Sequence, residues 1–113
     1  CEVGDAASRV ENRIGEPAAN PYLYFASQIL SGLDGINRKL AAPDPVERPY
    51  DNEVELLPKS MIDAINILKT SDFYRDQLGD AFVDYYTHIK TAEWQRYVAV
   101  ISEWEEREYF TLF

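Results

Sequence analysis

Three charged side chains near the start of the chain have the types and spacing for phosphoryl or carboxylate chemistry. Arg9, Glu11 and Arg13 occupy every second position of residues 9–14. Side chains of a β-strand alternate between its two faces, so these three would share one face. Guanidinium groups match the oxygens of phosphates and carboxylates, and a carboxylate is a hard ligand for Mg²⁺ or Mn²⁺. The pattern therefore predicts a strand that holds a polyanion together with a cation.

The same pattern is also typical of a solvated edge strand. There the arginines and the glutamate pair with one another, and the charges prevent aggregation through the open edge. Residue types alone leave both interpretations open.

A turn and a helix follow and would position this strand. Gly15 and Pro17 indicate the turn, Asn20 is a favourable N-cap, and Pro21 suits the first helical position. A helix is predicted from residue 21 to about residue 41. Its apolar stripe consists of Tyr22, Ala26, Ile29, Leu33, Ile36 and Leu40.

Two glycines interrupt this predicted helix. Gly32 and Gly35 each weaken a helix by about 1 kcal/mol relative to alanine. We interpret them as sites of close packing against another element.

The second half of the chain reads as a linker and further helices. Prolines exclude a continuous helix across residues 42–58. Ser60 and Asp63 resemble a capping box at the start of a short helix, whose buried face would be Met61, Ile62, Ile65 and Leu68.

Two more helices are predicted after this one. Ser71 or Asp72 would cap a short helix that ends at Gly79. Asp80 would cap a long helix to about Arg107, with a kink or break near Thr91. Its stripe would be Phe82, Tyr86, Ile89, Tyr97, Ile101 and Trp104, and the charged residues 103–108 would form a solvated face. His88, the single histidine, is interpreted as structural or surface-exposed.

Composition narrows the class of protein. The chain has 113 residues and a formal net charge of −9. An acidic surface argues against nucleic acid and anionic membranes as partners. No apolar run reaches the length of a membrane span, and no signal peptide is recognisable. Cys1 is the single cysteine, which fits a reducing, cytoplasmic setting.

The start of the chain and its unpaired strand point to a larger protein. The chain starts at Cys1, and its only methionine is Met61. A lone strand cannot satisfy its own backbone hydrogen bonds, and nothing later in the sequence reads as its partner. We therefore expect this chain to be a piece of a longer protein, with an exposed apolar side that favours self-association.

Several motifs resemble the C-terminal part of the glutamine synthetase catalytic domain. The most specific are Arg-Val-Glu-Asn-Arg at residues 9–13, Ala-Asn-Pro-Tyr-Leu at 19–23 and Gly-Leu-Asp-Gly-Ile at 32–36. Weaker matches are Leu57-Pro58-Lys59-Ser60, Phe82-Val83-Asp84-Tyr85-Tyr86, Lys90 with Glu93, and Trp104-Glu105 with Glu108-Tyr109-Phe110. The resemblance extends from about Arg9 to Phe113.

This resemblance implies an ATP-dependent ligase of cytoplasmic location. Such enzymes phosphorylate the side-chain carboxylate of glutamate, and ammonia or an amine then displaces the phosphate. By resemblance, Glu11 is a ligand for Mg²⁺ or Mn²⁺. Arg13 is the catalytic arginine that contacts glutamate and the transferring phosphoryl, and Arg9 faces the nucleotide phosphates of ATP. The family also implies a homo-oligomeric ring for the whole protein.

The sequence departs from the best-known bacterial pattern after Arg13. That pattern continues with Phe-Pro-Asp, whereas Ile14-Gly15-Glu16-Pro17 stands here. We interpret Glu16 as a turn residue. The departure resembles a subgroup of the family and leaves the acceptor amine open, so a γ-glutamyl-amine (polyamine) ligase is one alternative to ammonia ligation. A non-catalytic helical interaction module from a degenerate family member is a separate alternative.

The predicted fold class is mainly α: the C-terminal helical part of a glutamine synthetase-type α+β catalytic domain, with one N-terminal β-strand at about residues 9–14. Residues 1–20 would form the active-site strand and turn, and residues 21–113 the helical C-terminal region. One carboxylate cannot hold two magnesium ions with useful affinity, and by resemblance the family's other metal ligands lie upstream. This chain alone is therefore expected to be inactive.

Overall fold

The computed structural model describes residues 4–9, 11–46, 48 and 56–112. Within these residues the chain forms five helices: α1 (Pro21–Asn37), α2 (Met61–Lys69), α3 (Asp72–Leu78), α4 (Asp80–Val98) and α5 (Glu103–Tyr109). They belong to two compact units, Cys1–Pro45 and Val46–Phe113. The prediction of a mainly helical chain is confirmed for the described part.

The predicted N-terminal strand is not formed by the described residues. Residues 9 and 11–14 have irregular backbone, and Val10 lies outside the described residues. A strand exists only through hydrogen bonds to a neighbouring strand, and the described residues of this chain offer none. A strand at residues 9–14 stays a prediction for the whole protein.

Helix α1 begins as predicted and ends earlier than predicted. The Asn20 side chain accepts hydrogen bonds from the amides of Tyr22 and Leu23. At the other end, the Leu40 amide donates to the Gly35 carbonyl at 3.0 Å, and the Lys39 amide to the Ile36 carbonyl at 3.1 Å. This is the Schellman arrangement. Lys39 takes the left-handed conformation (φ 53°) that glycine usually fills, so no residue type at this position signals the end of the helix.

Serine caps and one glycine define α2 and α3. The Ser60 hydroxyl accepts the Asp63 amide, and Ser71 accepts the Tyr74 amide. Gly79 ends α3 with a φ of 84°, a value that residues with a Cβ rarely adopt. The predicted starts of both helices and the glycine stop are confirmed.

Helix α4 differs from its prediction at both ends. Asp80 is its first residue and does not cap it, because the N-cap position is Gly79, which has no side chain to do so. The helix continues through Thr91, whose hydroxyl donates to the Thr87 carbonyl at 2.7 Å and so remains satisfied within the helix. The break comes instead between Val98 and Glu103.

The core of the second unit lies where α2 and α3 pack on α4. Val83 is completely buried and Ile65 is 5% exposed. Thr87 is buried beside them, and its hydroxyl donates to the Val83 carbonyl at 2.8 Å. Of the predicted α2 face, Ile65 is buried and Met61, Ile62 and Leu68 are half-buried.

The buried face of α4 differs from the predicted stripe. It passes through Val83 and Thr87, whereas Phe82 and Tyr86 are half-buried and stack on one another with ring centroids 5.9 Å apart. The remaining predicted stripe residues are exposed: Ile89, Tyr97, Ile101 and Trp104. The aromatic periodicity was therefore a poor guide to which face the neighbouring helices cover.

No described helix has the length and apolar character needed to cross a membrane.

The two glycines of α1 have open space around them. A methyl group added at Gly32 or Gly35 would meet nothing within 4 Å. Close packing at these glycines is therefore not found within the described residues.

Acid is expected to loosen the start of α5. The Glu105 carboxylate accepts hydrogen bonds from the amide and hydroxyl of Ser102, at 2.8 and 2.9 Å, and these bonds lower the pKa of Glu105. A lowered folded-state pKa means that the stabilisation is present at neutral pH. It is lost as pH falls below about 4.5, the ordinary pKa of glutamate.

Amide hydrogen exchange at Ser102 and Glu105 between pH 6 and pH 3, corrected for the intrinsic pH dependence of exchange, measures this effect. Glu105→Gln should reduce the acid sensitivity, because its amide does not titrate. Equal acid sensitivity in both proteins would contradict the assignment.

Candidate active site

The structure brings two of the three predicted site residues together. The Arg13 guanidinium donates to the Glu11 carboxylate at 3.1 Å. Both side chains face solvent, with 82% of Arg13 and 56% of Glu11 exposed. An exposed pair of this kind contributes little to stability. Both groups are therefore accessible to a ligand.

Arg9 is placed differently. Its guanidinium donates to the carbonyl of Ala7 at 3.4 Å. Its predicted role toward nucleotide phosphates therefore stays a prediction.

Asn12 links the charged pair to helix α1. Its side-chain oxygen accepts the amide of Ile14 at 3.0 Å, forming a local turn, and its side-chain nitrogen donates to the Gln28 side-chain oxygen. Asn12 lies between Glu11 and Arg13 in the sequence. The pair is therefore attached to α1 through the Asn12 side chain, whose oxygen and nitrogen both have hydrogen-bond partners.

The turn between the pair and α1 is shaped by a close approach. A methyl group added at Gly15 would lie 3.1 Å from the Tyr24 ring, nearer than ordinary carbon contacts. Because Gly15 has no side chain, the aromatic ring of Tyr24, a residue of α1, can lie against the turn.

Glu16 completes the turn as a structural residue. Its carboxylate accepts the amide of Ala18 at 3.3 Å, and its carbonyl accepts the amide of Ala19 at 2.9 Å. These contacts support the interpretation of Glu16 as a turn residue.

Glu11 fits the role of one metal ligand and cannot form a metal site by itself. Its exposed carboxylate has the oxygen chemistry that magnesium and manganese prefer. Among the described residues, no group of three histidine, cysteine, aspartate or glutamate side chains is arranged to hold a metal ion. Any such site would need ligands from outside the described part of this chain.

A separate cleft in the second unit is structural in character. Lys69, Arg75, Asp84, Thr87, His88 and Thr91 line a volume of about 320 Å³. Arg75 donates to Asp80 at 2.7 Å, to Asp84 at 2.8 Å and to the Lys69 carbonyl at 2.8 Å. The hydrogen bonds that the Arg75 guanidinium donates to Asp80 and Asp84 raise the pKa of Arg75. The guanidinium thus ties α2, α3 and α4 together, and His88 is exposed beside it.

Sequence reasoning missed the residues that hold the charged pair. Gln28 lies among apolar residues of α1 and is 16 positions from Asn12, so no local spacing signals their contact. The contact of Tyr24 with Gly15 has a weak signal, because a glycine in a turn allows a close approach.

Comparisons with known proteins place this chain in a family. The glutamine synthetase catalytic domain family matches residues 2–109. Gamma-glutamylanilide synthase of an Acinetobacter species is 42% identical over 96% of this chain and 24% of its own length. Glutamine synthetases of Methanococcus voltae and Clostridium saccharobutylicum are 35% and 32% identical, over 90% and 96% of this chain.

These alignments also show how much of the length of its relatives this chain covers. It spans about a quarter of the length of the curated relatives that it matches. Because the family match includes nearly all of the residues, from the charged pair through α5, this chain belongs to the glutamine synthetase catalytic domain family.

Proposed function

We propose that this chain is the C-terminal portion of an ATP-dependent ligase that joins the γ-carboxyl group of glutamate to an amine nitrogen. The observation that carries this proposal is the match of residues 2–109 to the glutamine synthetase catalytic domain family, a range that includes the exposed Glu11 and Arg13 side chains. The full-length protein, meaning the polypeptide that contains this chain, would supply the other catalytic residues.

The proposed reaction has two steps. A γ-carboxylate oxygen of glutamate attacks the terminal phosphorus of ATP, ADP leaves, and γ-glutamyl phosphate forms. The nitrogen of the acceptor then attacks the γ-carbonyl carbon, inorganic phosphate leaves, and the nitrogen loses a proton. Both steps require fixed positive charge around the phosphoryl oxygens.

We assign one role to each residue of the candidate site. The Arg13 guanidinium would bind oxygens of glutamate and of the transferring phosphoryl group, and its planar donors suit that task. Glu11 would supply one ligand to a divalent cation, Mg²⁺ or Mn²⁺. When bound, such a cation neutralises charge on phosphate oxygens. Arg9 would contact the nucleotide phosphates.

The acceptor amine provides a second candidate function. Ammonia as acceptor makes the protein a glutamine synthetase. The relative at 42% identity is named gamma-glutamylanilide synthase, and a γ-glutamylanilide is the amide of the glutamate γ-carboxyl with aniline. The identity to this relative exceeds the 35% to the Methanococcus voltae glutamine synthetase, which favours an organic amine.

Release of ADP by the full-length protein tests both candidates. The assay contains glutamate, Mg-ATP and one of ammonia, aniline or an aliphatic diamine. Turnover with ammonia is expected for a glutamine synthetase, and turnover restricted to an organic amine for a γ-glutamyl-amine ligase. No turnover with any acceptor would contradict the ligase and favour a non-catalytic interaction module. The isolated chain is expected to release no ADP, because it offers one ligand where two cations are needed.

We further propose that the full-length protein is a cytoplasmic homo-oligomer. Large apolar side chains are exposed along the last part of the chain, including Tyr97, Ile101 and Phe110. Exposed apolar surface of this kind favours contact with another protein surface. Light scattering of the full-length protein measures the oligomeric state, and a monodisperse monomer would contradict this proposal.

A further inference from the structure

Two side chains on one face of α1 contact the segment that carries the charged pair. Tyr24 and Gln28 are four positions apart, so they lie on consecutive turns of the same helix face. Gln28 accepts a hydrogen bond from Asn12. Tyr24 lies against Gly15. The segment 12–15 is therefore fixed at its first and last residues by adjacent turns of a regular helix.

These contacts restrict the backbone on which Glu11 and Arg13 are mounted. Asn12 is the residue between them, and its side chain also accepts the Ile14 amide at 3.0 Å. With the Gln28 contact, the Asn12 side chain has partners for both its oxygen and its nitrogen. Rotation of this side chain would break both contacts. The orientation of the neighbouring charged residues thus depends on Gln28.

We propose that Gln28, acting through Asn12, and Tyr24, acting through Gly15, are positioning residues for the Glu11–Arg13 pair. This inference rests on the proposed function. Neither side chain needs to touch substrate, because each acts on the segment that carries the charged groups. Displacement of a positioned charge by a fraction of an ångström weakens the stabilisation of a transition state much more than it weakens folding.

Gln28→Met in the full-length protein tests the inference. Methionine keeps the length and helix propensity of glutamine and removes the acceptor oxygen. We expect kcat for ADP release to fall about tenfold, with a smaller change in the KM for ATP and an unchanged unfolding midpoint. Gln28→Glu should restore kcat to near the wild-type value, because its carboxylate accepts from Asn12 as the amide does.

A matched control separates positioning from a general effect of the substitution. Gln95→Met makes the same chemical change at an exposed position of α4. It should leave kcat unchanged. Wild-type kcat in Gln28→Met would overturn the inference. Equal losses in Gln28→Met and Gln28→Glu would also overturn it, since the acceptor oxygen would then not matter.

A second readout does not depend on ligase activity. Hydrogen–deuterium exchange of the peptide that contains Ile14 reports on the Asn12 turn, because the Ile14 amide donates to Asn12. Gln28→Met should speed exchange of this peptide, and Gln95→Met should not. If the wild-type protein releases no ADP, the proposed function fails. Faster exchange would then still support the positioning contact, and unchanged exchange would overturn it.

Discussion

Glu11→Gln in the full-length protein is expected to lower kcat/KM for the proposed ligase reaction about 10²- to 10³-fold. Glutamine keeps the size of the side chain and removes its negative charge. The exposed carboxylate contributes little to folding through its pair with Arg13. The loss should therefore appear in catalysis while the unfolding midpoint stays close to that of the wild type.

The dependence on metal concentration separates Glu11 from Arg13. If Glu11 holds a cation, Glu11→Gln should raise the Mg²⁺ concentration that gives half-maximal ADP release. Arg13→Lys should leave this concentration almost unchanged and lower kcat, because lysine keeps the charge but loses the planar donors that match phosphoryl oxygens.

Glu106→Gln provides the matched control for this experiment. Glu106 is an exposed residue of α5, and its substitution makes the same change in charge. The control should retain wild-type kcat/KM and metal dependence. Near-normal activity in both Glu11→Gln and Arg13→Lys would contradict the roles assigned to the pair.

Local signals in the sequence predicted the starts of α1, α2 and α3 correctly. Asn20, Ser60 and Ser71 each accept backbone amides of the following helix, and such caps require only residues that are neighbours in the chain. Gly79 stops α3 for an equally local reason. These interactions do not depend on the rest of the protein, so a single sequence contains enough information to find them.

The C-terminal ends of α1 and α4 were harder to predict. At α1 the residue that ends the helix is of an unexpected type, and at α4 the start of the next helix, α5, was overlooked. Lys39 adopts a conformation typical of glycine, and its side chain gives no sign of that. The capping box of α5, formed by Ser102 and Glu105, was present in the sequence. An apolar periodicity that continued through Ile101 and Trp104 concealed it, although both side chains are exposed.

The candidate site also has one part that the sequence predicted and another that it did not. The edge-strand interpretation of residues 9–14 expected the arginines and the glutamate to pair with one another, and the structure places Glu11 and Arg13 in contact as a charged pair. The roles that the resemblance assigns to them stay predictions. The attachment of the pair to α1 joins residues 16 positions apart, and such a contact is set by the path of the chain. The strand at residues 9–14 depends on hydrogen bonds to a neighbour, so the described residues alone do not form it.

The second unit is expected to depend strongly on one isoleucine of α2. Ile65 is 5% exposed and, with Val83, makes up the buried apolar core of its described residues. Ile65→Ala removes three buried carbons and leaves a cavity between α2 and α4, which costs about 2–5 kcal/mol. A unit of this size has a total stability of roughly 3–10 kcal/mol. The substitution should therefore remove a large share of the stability.

Ile67 provides a control of the same residue type on the same helix. It is 57% exposed, so Ile67→Ala removes little buried surface and should change stability by about 0.5 kcal/mol or less. Urea unfolding of the chain, followed by tryptophan fluorescence and circular dichroism, compares the two variants. Ile65→Ala should lower the midpoint well below that of Ile67→Ala. Equal midpoints would show that packing of α2 against α4 does not determine the stability of this unit.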